Sequence, residues 1–320
     1  MKFKVKGIIS LGEALIDFTP LDENNMKFQK SPGGAPANVA AGLSKLGAKT
    51  TFVGKVGNDV LGSFLKETLD EKGVNTGSML LTDEARTGLT FVTLDESGER
   101  SFSFYINPSA DTFLRAENIN EDIFKENKIL HFGSISLIHE PARSATKFAV
   151  KKAKEHGMLI SYDPNLRLNL WVDTKAAKEG IISMLDQVDI LKISDEELEF
   201  ITGREDVRTG VKVLKEDYNI PLIYVTFGSK GAYYYYNNQL EFVSAMKVET
   251  VDTTGAGDAF VSGILYSINI IDKKIGELDK AFLDYTIRFA SISGALAASQ
   301  KGAMSALPRL EDVKEIMENQ

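Results

Sequence analysis

Along most of the chain, short apolar runs alternate with longer stretches in which apolar residues recur every three or four positions. Gly7–Leu11, Thr50–Val56, Leu159–Asp163, Asp189–Ile193 and Leu222–Phe227 have the length and content of buried strands. The periodic stretches predict helices over Pro36–Leu46 (stopped by Gly47) and Val60–Lys72 (capped by Asp59, stopped by Gly73). Two more are predicted over Pro141–His156, stopped by Gly157, and Lys175–Leu185. Alternation of this kind builds βαβ units, so the expected fold class is α/β with a mostly parallel sheet covered on both faces. Ligands of such sheets sit at the carboxyl ends of strands, which gives weight to the loops that follow them.

Two segments break the alternation. Ala14–Phe28 carries no helical period, and Thr87–Ile106 predicts a hairpin with arms Gly88–Leu94 and Glu99–Ile106 joined by Asp95-Glu96-Ser97-Gly98. Phe102, Phe104 and Ile106 share one face of the second arm. A small sheet from about residues 14–30 and 87–107 is therefore expected outside the main one. Its apolar face either closes over a pocket as a lid or packs on the body. Tyr233–Tyr236 with Asn237-Asn238 predicts a further hairpin near the end of the main sheet. No repeat, low-complexity tract or linker divides the chain, and a single domain over residues 1–320 is expected.

Composition narrows the function classes. The 320 residues are 43% hydrophobic and 26% charged, with 37 basic and 45 acidic residues and a net charge of −8. No sizeable Lys/Arg cluster exists, which argues against nucleic acid or an anionic membrane as partner. With no cysteine, disulfides and thiolate metal sites are excluded. The start, Met1 to Gly7, leads into a strand-like run instead of a signal-type apolar segment, and the longest apolar stretch, Ala259–Ile271, is interrupted by polar residues. A cytoplasmic enzyme is the expectation. An acidic protein that handles anionic phosphates needs local backbone donors or a metal ion.

Asp252-Thr253-Thr254-Gly255-Ala256-Gly257-Asp258-Ala259-Phe260 is the most informative stretch. A Gly-Ala-Gly turn opening a helix presents bare backbone N–H groups, and the helix dipole adds partial positive charge there. Asp258 at the mouth of such an anion site suits a base that takes a proton from a hydroxyl attacking phosphorus. It equally suits a residue that merely stabilises the first helical turn. Ser31 to Ala40 holds a second glycine-bearing loop, in which Gly33 and Gly34 admit close ligand approach and Asn38 offers a donor and an acceptor one turn into the helix. That suits a polyhydroxy ligand, although a turn before an ordinary helix has the same form. Asp17 could accept hydrogen bonds from sugar hydroxyls, or be solvated. In Asp163-Pro164-Asn165-Leu166-Arg167, Arg167 could meet a hydroxyl-rich or anionic group, or pair with an acid. Ser194-Asp195-Glu196-Glu197 reads as a capping box, with Glu197 also able to hold a water of hydrated Mg²⁺. Thr226-Phe227-Gly228-Ser229-Lys230-Gly231 ends a strand in small residues and suits a nucleotide loop or a plain turn. There is no Walker-type loop, the dinucleotide fingerprint is incomplete, and the three histidines lack metal-ligand spacing.

Together these segments resemble the ribokinase-like (PfkB-type) carbohydrate kinases, from about Gly12 to Pro308, with Gly12 to Asp17, Pro32 to Ala40, Asp163 to Trp171 and Ser194 to Glu197 most like fructokinases. The resemblance implies a three-layer αβα sandwich with a β-sheet lid, and ATP-dependent phosphorylation of D-fructose to fructose 6-phosphate. It implies Asp258 as general base and Gly255, Ala256 and Gly257 as the anion hole. Asp17, Gly33, Gly34, Asn38, Phe104 and Arg167 would hold the sugar. Lys192, Thr226, Gly228, Ser229 and Gly231 would serve ATP. Asp252 and Thr254 match positions that bind a monovalent cation such as K⁺ in many relatives, and Glu197 matches a Mg²⁺ position, although relatives with that motif carry Asn where this chain has Ser194. Dimerisation through the lid would be compatible with its free edges. A 2-keto-3-deoxygluconate kinase, another sugar or nucleoside kinase of the family, and a non-catalytic sugar sensor are the alternatives.

Overall fold

The computed structural model describes residues 6–94 and 100–319. The chain begins with β1 (Gly7–Leu11), β2 (Leu15–Pro20), β3 (Phe28–Gly33), α1 (Ala35–Lys45), β4 (Thr50–Gly57), α2 (Val60–Glu71) and β5 (Asn75–Thr82). It continues through β6 (Gly88–Leu94), β7 (Arg100–Phe104), α3 (Ile123–Glu126), β8 (Asn127–Phe132), α4 (Ala142–Glu155), β9 (Leu159–Tyr162) and α5 (Thr174–Ile182). Then follow β10 (Ile190–Ser194), α6 (Asp195–Thr202), α7 (Val207–Tyr218), β11 (Leu222–Thr226), β12 (Gly231–Tyr236) and β13 (Gln239–Ser244). The last elements are α8 (Ala256–Asn269), α9 (Lys280–Ala298) and α10 (Leu310–Glu318).

Nine strands form the main sheet in the order β13-β12-β11-β10-β9-β8-β1-β4-β5. All neighbours from β11 to β5 run parallel, while β12 and β13 add an antiparallel hairpin at one edge. Asn237 and Asn238, at φ 47° and 62°, make the two-residue turn of that hairpin, whose backbone twist matches the strands it joins. Consecutive strand residues feed opposite layers. Ile9, Leu11, Leu130, Phe132, Ile160 and Leu191 pack with α4 to α7. Ile8, Ile129, Ile190, Leu222 and Tyr224 pack with α1, α8, α9 and α10. This is the expected αβα sandwich. Helix α8 is buried from Ala259 to Asn269, which explains why its sequence shows no amphipathic stripe.

Strands β3-β2-β6-β7 form a separate four-stranded sheet, with β2 and β6 parallel and the outer pairs antiparallel. It occupies the place anticipated for a small sheet, with two differences. β3 runs on to Gly33, so that glycine ends a strand instead of lying in a loop, and β7 stops at Phe104. The expected turn Asp95–Gly98 lies outside the described residues. Cross-strand register aligns Ser31, Asp17, Thr90 and Phe104 in one row, so alternate residues of all four strands present one face together.

Asp59 joins this sheet to the body. As N-cap of α2 its carboxylate accepts from the amides of Leu61 and Gly62 at 3.0 and 2.9 Å, and also from the Thr87 amide and hydroxyl at 2.9 and 2.8 Å. Thr87 is the residue before β6 and is buried. Burial pushes the Asp59 carboxyl up, but the hydrogen bonds outweigh it and hold the group below the usual carboxylate range. Its contribution is therefore complete at neutral pH and is lost as pH falls through that lowered value. Asp59→Ala is expected to lower stability by about 2 kcal/mol at pH 7, read by denaturant unfolding, with the deficit shrinking in acid.

Candidate active site

The parallel strands end nearly level. Leu11 pairs with Phe132, Phe132 with Tyr162, Tyr162 with Leu191, and Ser194 with Thr226, so the residues just beyond these strands gather on one edge. Between that edge and the small sheet lies a cavity of about 380 Å³. Asp17, Thr90 and Phe104 reach it from the aligned row, Asn38 from the first turn of α1, and Asp163, Asn165 and Arg167 from the loop after β9. A second cavity of about 550 Å³ lies beside it, lined by Thr226, Gly228, Ser229 and Gly231 and by small residues of α9 such as Gly294 and Ala298. Thr253 and Gly257 line both. The junction is thus the turn that opens α8.

That turn depends on Gly255, which caps α8 at φ +81°, a left-handed conformation that side chains disfavour. A β-carbon there would also stand 2.9 Å from the Ala303 Cα. The amide of Ala256 closes the turn on the Thr253 carbonyl at 3.2 Å. This corrects one expectation, because the Ala256 N–H is committed to its own loop. The amides of Gly255, Gly257 and Asp258 have no hydrogen-bond acceptor among the described residues, and they are the donors available to an anion.

Asp258 follows directly and accepts a 2.8 Å hydrogen bond from the Asn38 amide group. Two segments 220 residues apart in sequence are thereby locked at one point. Burial raises the Asp258 carboxyl to about 6, while Asn38, Lys192 and Arg167 pull it back. Burial likewise lifts Asp17 to about 7 against the pull of Arg167. Lys192 pairs with Asp163 at 3.0 Å. Its burial opposes the charge, but Asp163 and Glu197 prevail and keep the ammonium's pKa above its ordinary value. The Lys192 nitrogen lies 3.6 Å from where a Gly257 β-carbon would stand, beside the turn.

Asp17, Gly34, Asn38, Phe104, Arg167, Gly255, Gly257 and Asp258 therefore come together around the first cavity, and Thr226, Gly228, Ser229 and Gly231 around the second. Gly33 lines neither, but the Asp17 carboxylate occupies the space its side chain would take, 2.1 Å from the ideal β-carbon position. Lys192, expected with the nucleotide residues, lines the first cavity. Glu197 lines neither: its oxygens accept from the Leu166 and Ser194 amides at 2.7 and 2.8 Å, so it tethers the Arg167 loop to the capping box of α6. Asp252 also lies outside both linings and accepts from the Thr254 and Gly302 amides at 2.8 and 3.0 Å. Among the described residues no group of three or more acidic or histidine side chains is arranged to hold a metal ion. His131 hydrogen-bonds Ser161 in the core, where burial drives its pKa down to about 3, and Trp171 is buried packing.

Glu13 and Thr90 in the first cavity and Met246 to Val248 in the second were not anticipated, and Asp163, expected only as part of the Arg167 loop, pairs with Lys192. Glu13 and Asp163 each stand just beyond a buried strand, a position that could have flagged them. Nothing in the local pattern marks the others.

A turn with open amides, a carboxylate held against it and cavities on either side are the parts that transfer of a phosphoryl group between two ligands requires. A family model described as pfkB family carbohydrate kinase matches residues 5–310, and the chain belongs to that family. It is 44% identical over 320 residues to probable fructokinase-5 of Arabidopsis thaliana, covering 98% of this chain and 97% of that one. A fructokinase from Vibrio cholerae O395, solved with fructose, ADP and calcium ion, is 37% identical, with a TM-score of 0.89 over 98% of this chain and 99% of its own. The ATP-bound fructokinase from Xylella fastidiosa is 33% identical, with a TM-score of 0.91 over 99% of both chains. Among the described residues no helix is long and apolar enough to cross a membrane.

Replacing Gly255 with Ala forces the turn out of its left-handed conformation and away from Ala303. Gly255→Ala is expected to cost about 1–3 kcal/mol of stability and to lower kcat at least about ten-fold, because the donors shift. Thermal unfolding and ADP-release assays check both halves, and an unchanged kcat would separate the turn from the chemistry.

Proposed function

We propose that this protein transfers the γ-phosphoryl group of ATP to the 6-hydroxyl of D-fructose, giving fructose 6-phosphate and ADP. The observation that carries the reading is the sharing of Thr253 and Gly257 by a polar cavity and a larger, more apolar one lined by small residues. An anion at the turn would lie between the two ligands. The names and bound ligands of the relatives support fructose as acceptor and ATP as donor.

The residues divide the work as follows. Asp17, Asn38 and Arg167 bind sugar hydroxyls, with Phe102 and Phe104 packing against the ring. The reacting hydroxyl is placed next to Asp258, which accepts its proton as the oxygen bonds to phosphorus and the bond to ADP breaks. The open amides of Gly255, Gly257 and Asp258, with the dipole of α8, stabilise charge on the transferring group. Asn38 holds the carboxylate in place throughout. The row of the small sheet acts as a lid that excludes water, which suppresses transfer to solvent.

Mg²⁺ would arrive on the triphosphate and neutralise part of its charge. The committed oxygens of Glu197 and its position outside both cavities fit that ion poorly, so no protein ligand is assigned to it. For a monovalent cation the resemblance points to Asp252, a buried acid on the loop entering the turn, although its oxygens too are engaged, by the Thr254 and Gly302 amides. With Thr254 it would hold a monovalent ion such as K⁺ and steady the backbone there.

ADP release measured with fructose, mannose, glucose, ribose and 2-keto-3-deoxygluconate tests the reading. Fructose is expected to give the highest kcat/KM. Preference for 2-keto-3-deoxygluconate would reassign the sugar, and absence of turnover with every sugar would leave a binding protein. Asp258→Asn is expected to lower kcat by roughly 10²–10⁴-fold with the ATP KM little changed. Because the base must be ionised and its pKa is raised to about 6, kcat/KM should fall as pH drops below about 6 to 7, the upper limit set by Asp17 at about 7. The component near 6 should vanish in Asp258→Asn.

A further inference from the structure

Glu13 stands in the wall between the sugar cavity and a small inner cavity of about 40 Å³. The two share Glu13, Leu15, Phe104 and Ile135, and the space of the inner one is that of one to a few water molecules. Glu13 is 3% exposed. One carboxyl oxygen accepts from the Ala35 amide at 3.2 Å, which fixes the side chain against the start of α1. The other, Oε2, is buried and has no hydrogen-bond partner among the described residues. A buried carboxyl with one satisfied and one free oxygen, on the lining of a polar cavity, is incomplete without a ligand group.

Resting on the sugar-kinase reading above, we propose that Glu13 is a specificity residue of the sugar site, its free oxygen hydrogen-bonding a hydroxyl remote from the one phosphorylated. Burial pushes the Glu13 carboxyl up to about 8, and Asp111 and Asp258 add to the push. At neutral pH the group is the uncharged acid. Oε2 then carries the proton and donates it, while the oxygen facing Ala35 continues to accept. A sugar hydroxyl is a suitable acceptor, whereas a carboxylate-bearing part of a ligand would meet Asp17 and Asp258 nearby. The titratable groups around it are Asp17 on β2, Asp111 and His139 around the inner cavity, Asp258 on α8, and Asp163, Arg167 and Lys192 across the sugar cavity. Asp17 and Asp258 lie at about 7 and about 6, so both are ionised before Glu13 is.

Glu13→Gln keeps an acceptor for Ala35 and a donor for the sugar, and Glu13→Leu removes both. Assayed on whichever sugar the wild type phosphorylates, Glu13→Leu is expected to raise the sugar KM about ten- to hundred-fold, with the ATP KM and kcat within about three-fold. Glu13→Gln should rescue the sugar KM to within about three-fold of wild type. The wild-type sugar KM should rise above about pH 8 as Glu13 ionises, and the Glu13→Gln value should not. One monodeoxy analogue should lose affinity for the wild type but not for Glu13→Leu, which identifies the hydroxyl. An unchanged sugar KM in Glu13→Leu, a parallel rise in the ATP KM, a rise above pH 8 that persists in Glu13→Gln, or no coupled hydroxyl would overturn the proposal. Should Glu13→Leu not fold, the pH comparison with Glu13→Gln still decides. A wild type inactive on every sugar tells against the kinase reading itself, and is distinguished by that result alone.

Discussion

The first turn of α8 presents backbone amides that no group among the described residues accepts, and it does so where two cavities meet. The open amides lie on half-exposed to exposed residues, and a helix of buried side chains behind them concentrates their dipoles at one end. The arrangement is tolerable in a folded protein because solvent or a ligand anion can complete it. Asp258 sits on the same turn, so a base and a set of donors share one rigid element. Their relative positions are then set by helix geometry instead of by loop flexibility.

The remainder of the architecture keeps that turn in register with the sugar-binding elements. Helices α1 and α8 lie side by side in one layer, and the Asn38–Asp258 hydrogen bond ties their first turns together. The Asp252 carboxylate fastens the preceding loop to Gly302. On the far side of the cavity, Lys192 and Asp163 bring opposite charges from β10 and the end of β9. Each buried charge there has a partner, and the pair's field reaches Asp258. Chemistry therefore occurs in a region where titrations are shifted by burial first and by neighbours second.

The small sheet forms one wall of the first cavity. Its hydrogen-bonding is its own, and the aligned residues Asp17, Thr90 and Phe104 point at the cavity from three strands. Its opposite face carries Phe18, Phe28, Phe91 and Tyr105, with ring centroids 5.2 to 5.4 Å apart. That aromatic layer stiffens the sheet as a unit, and the contacts of Asp59 with Thr87 fix one of its entry points. A wall that is rigid in itself and attached at few places suits opening and closing over a ligand.

Much of the frame was legible in the chain by itself. Buried parallel strands must be continuously apolar and the covering helices must be amphipathic, so β1, β4, β9, β10, β11 and α1, α2, α4 are visible as periodicities, and Gly255 to Asp258 is visible because an anion turn requires residues without side chains. Helix α9 and the elements around it were harder to see, being buried or locally irregular. What only the folded structure decided are relations between distant segments: the 2.8 Å contact of Asn38 with Asp258, the tether of Glu197 to the Leu166 amide, and the place of Glu13 between two cavities. Periodicity reports which face of an element is dry, a property of neighbouring residues. Hydrogen-bond partners and burial of a carboxyl arise from chain crossings hundreds of residues apart, and no local pattern encodes them.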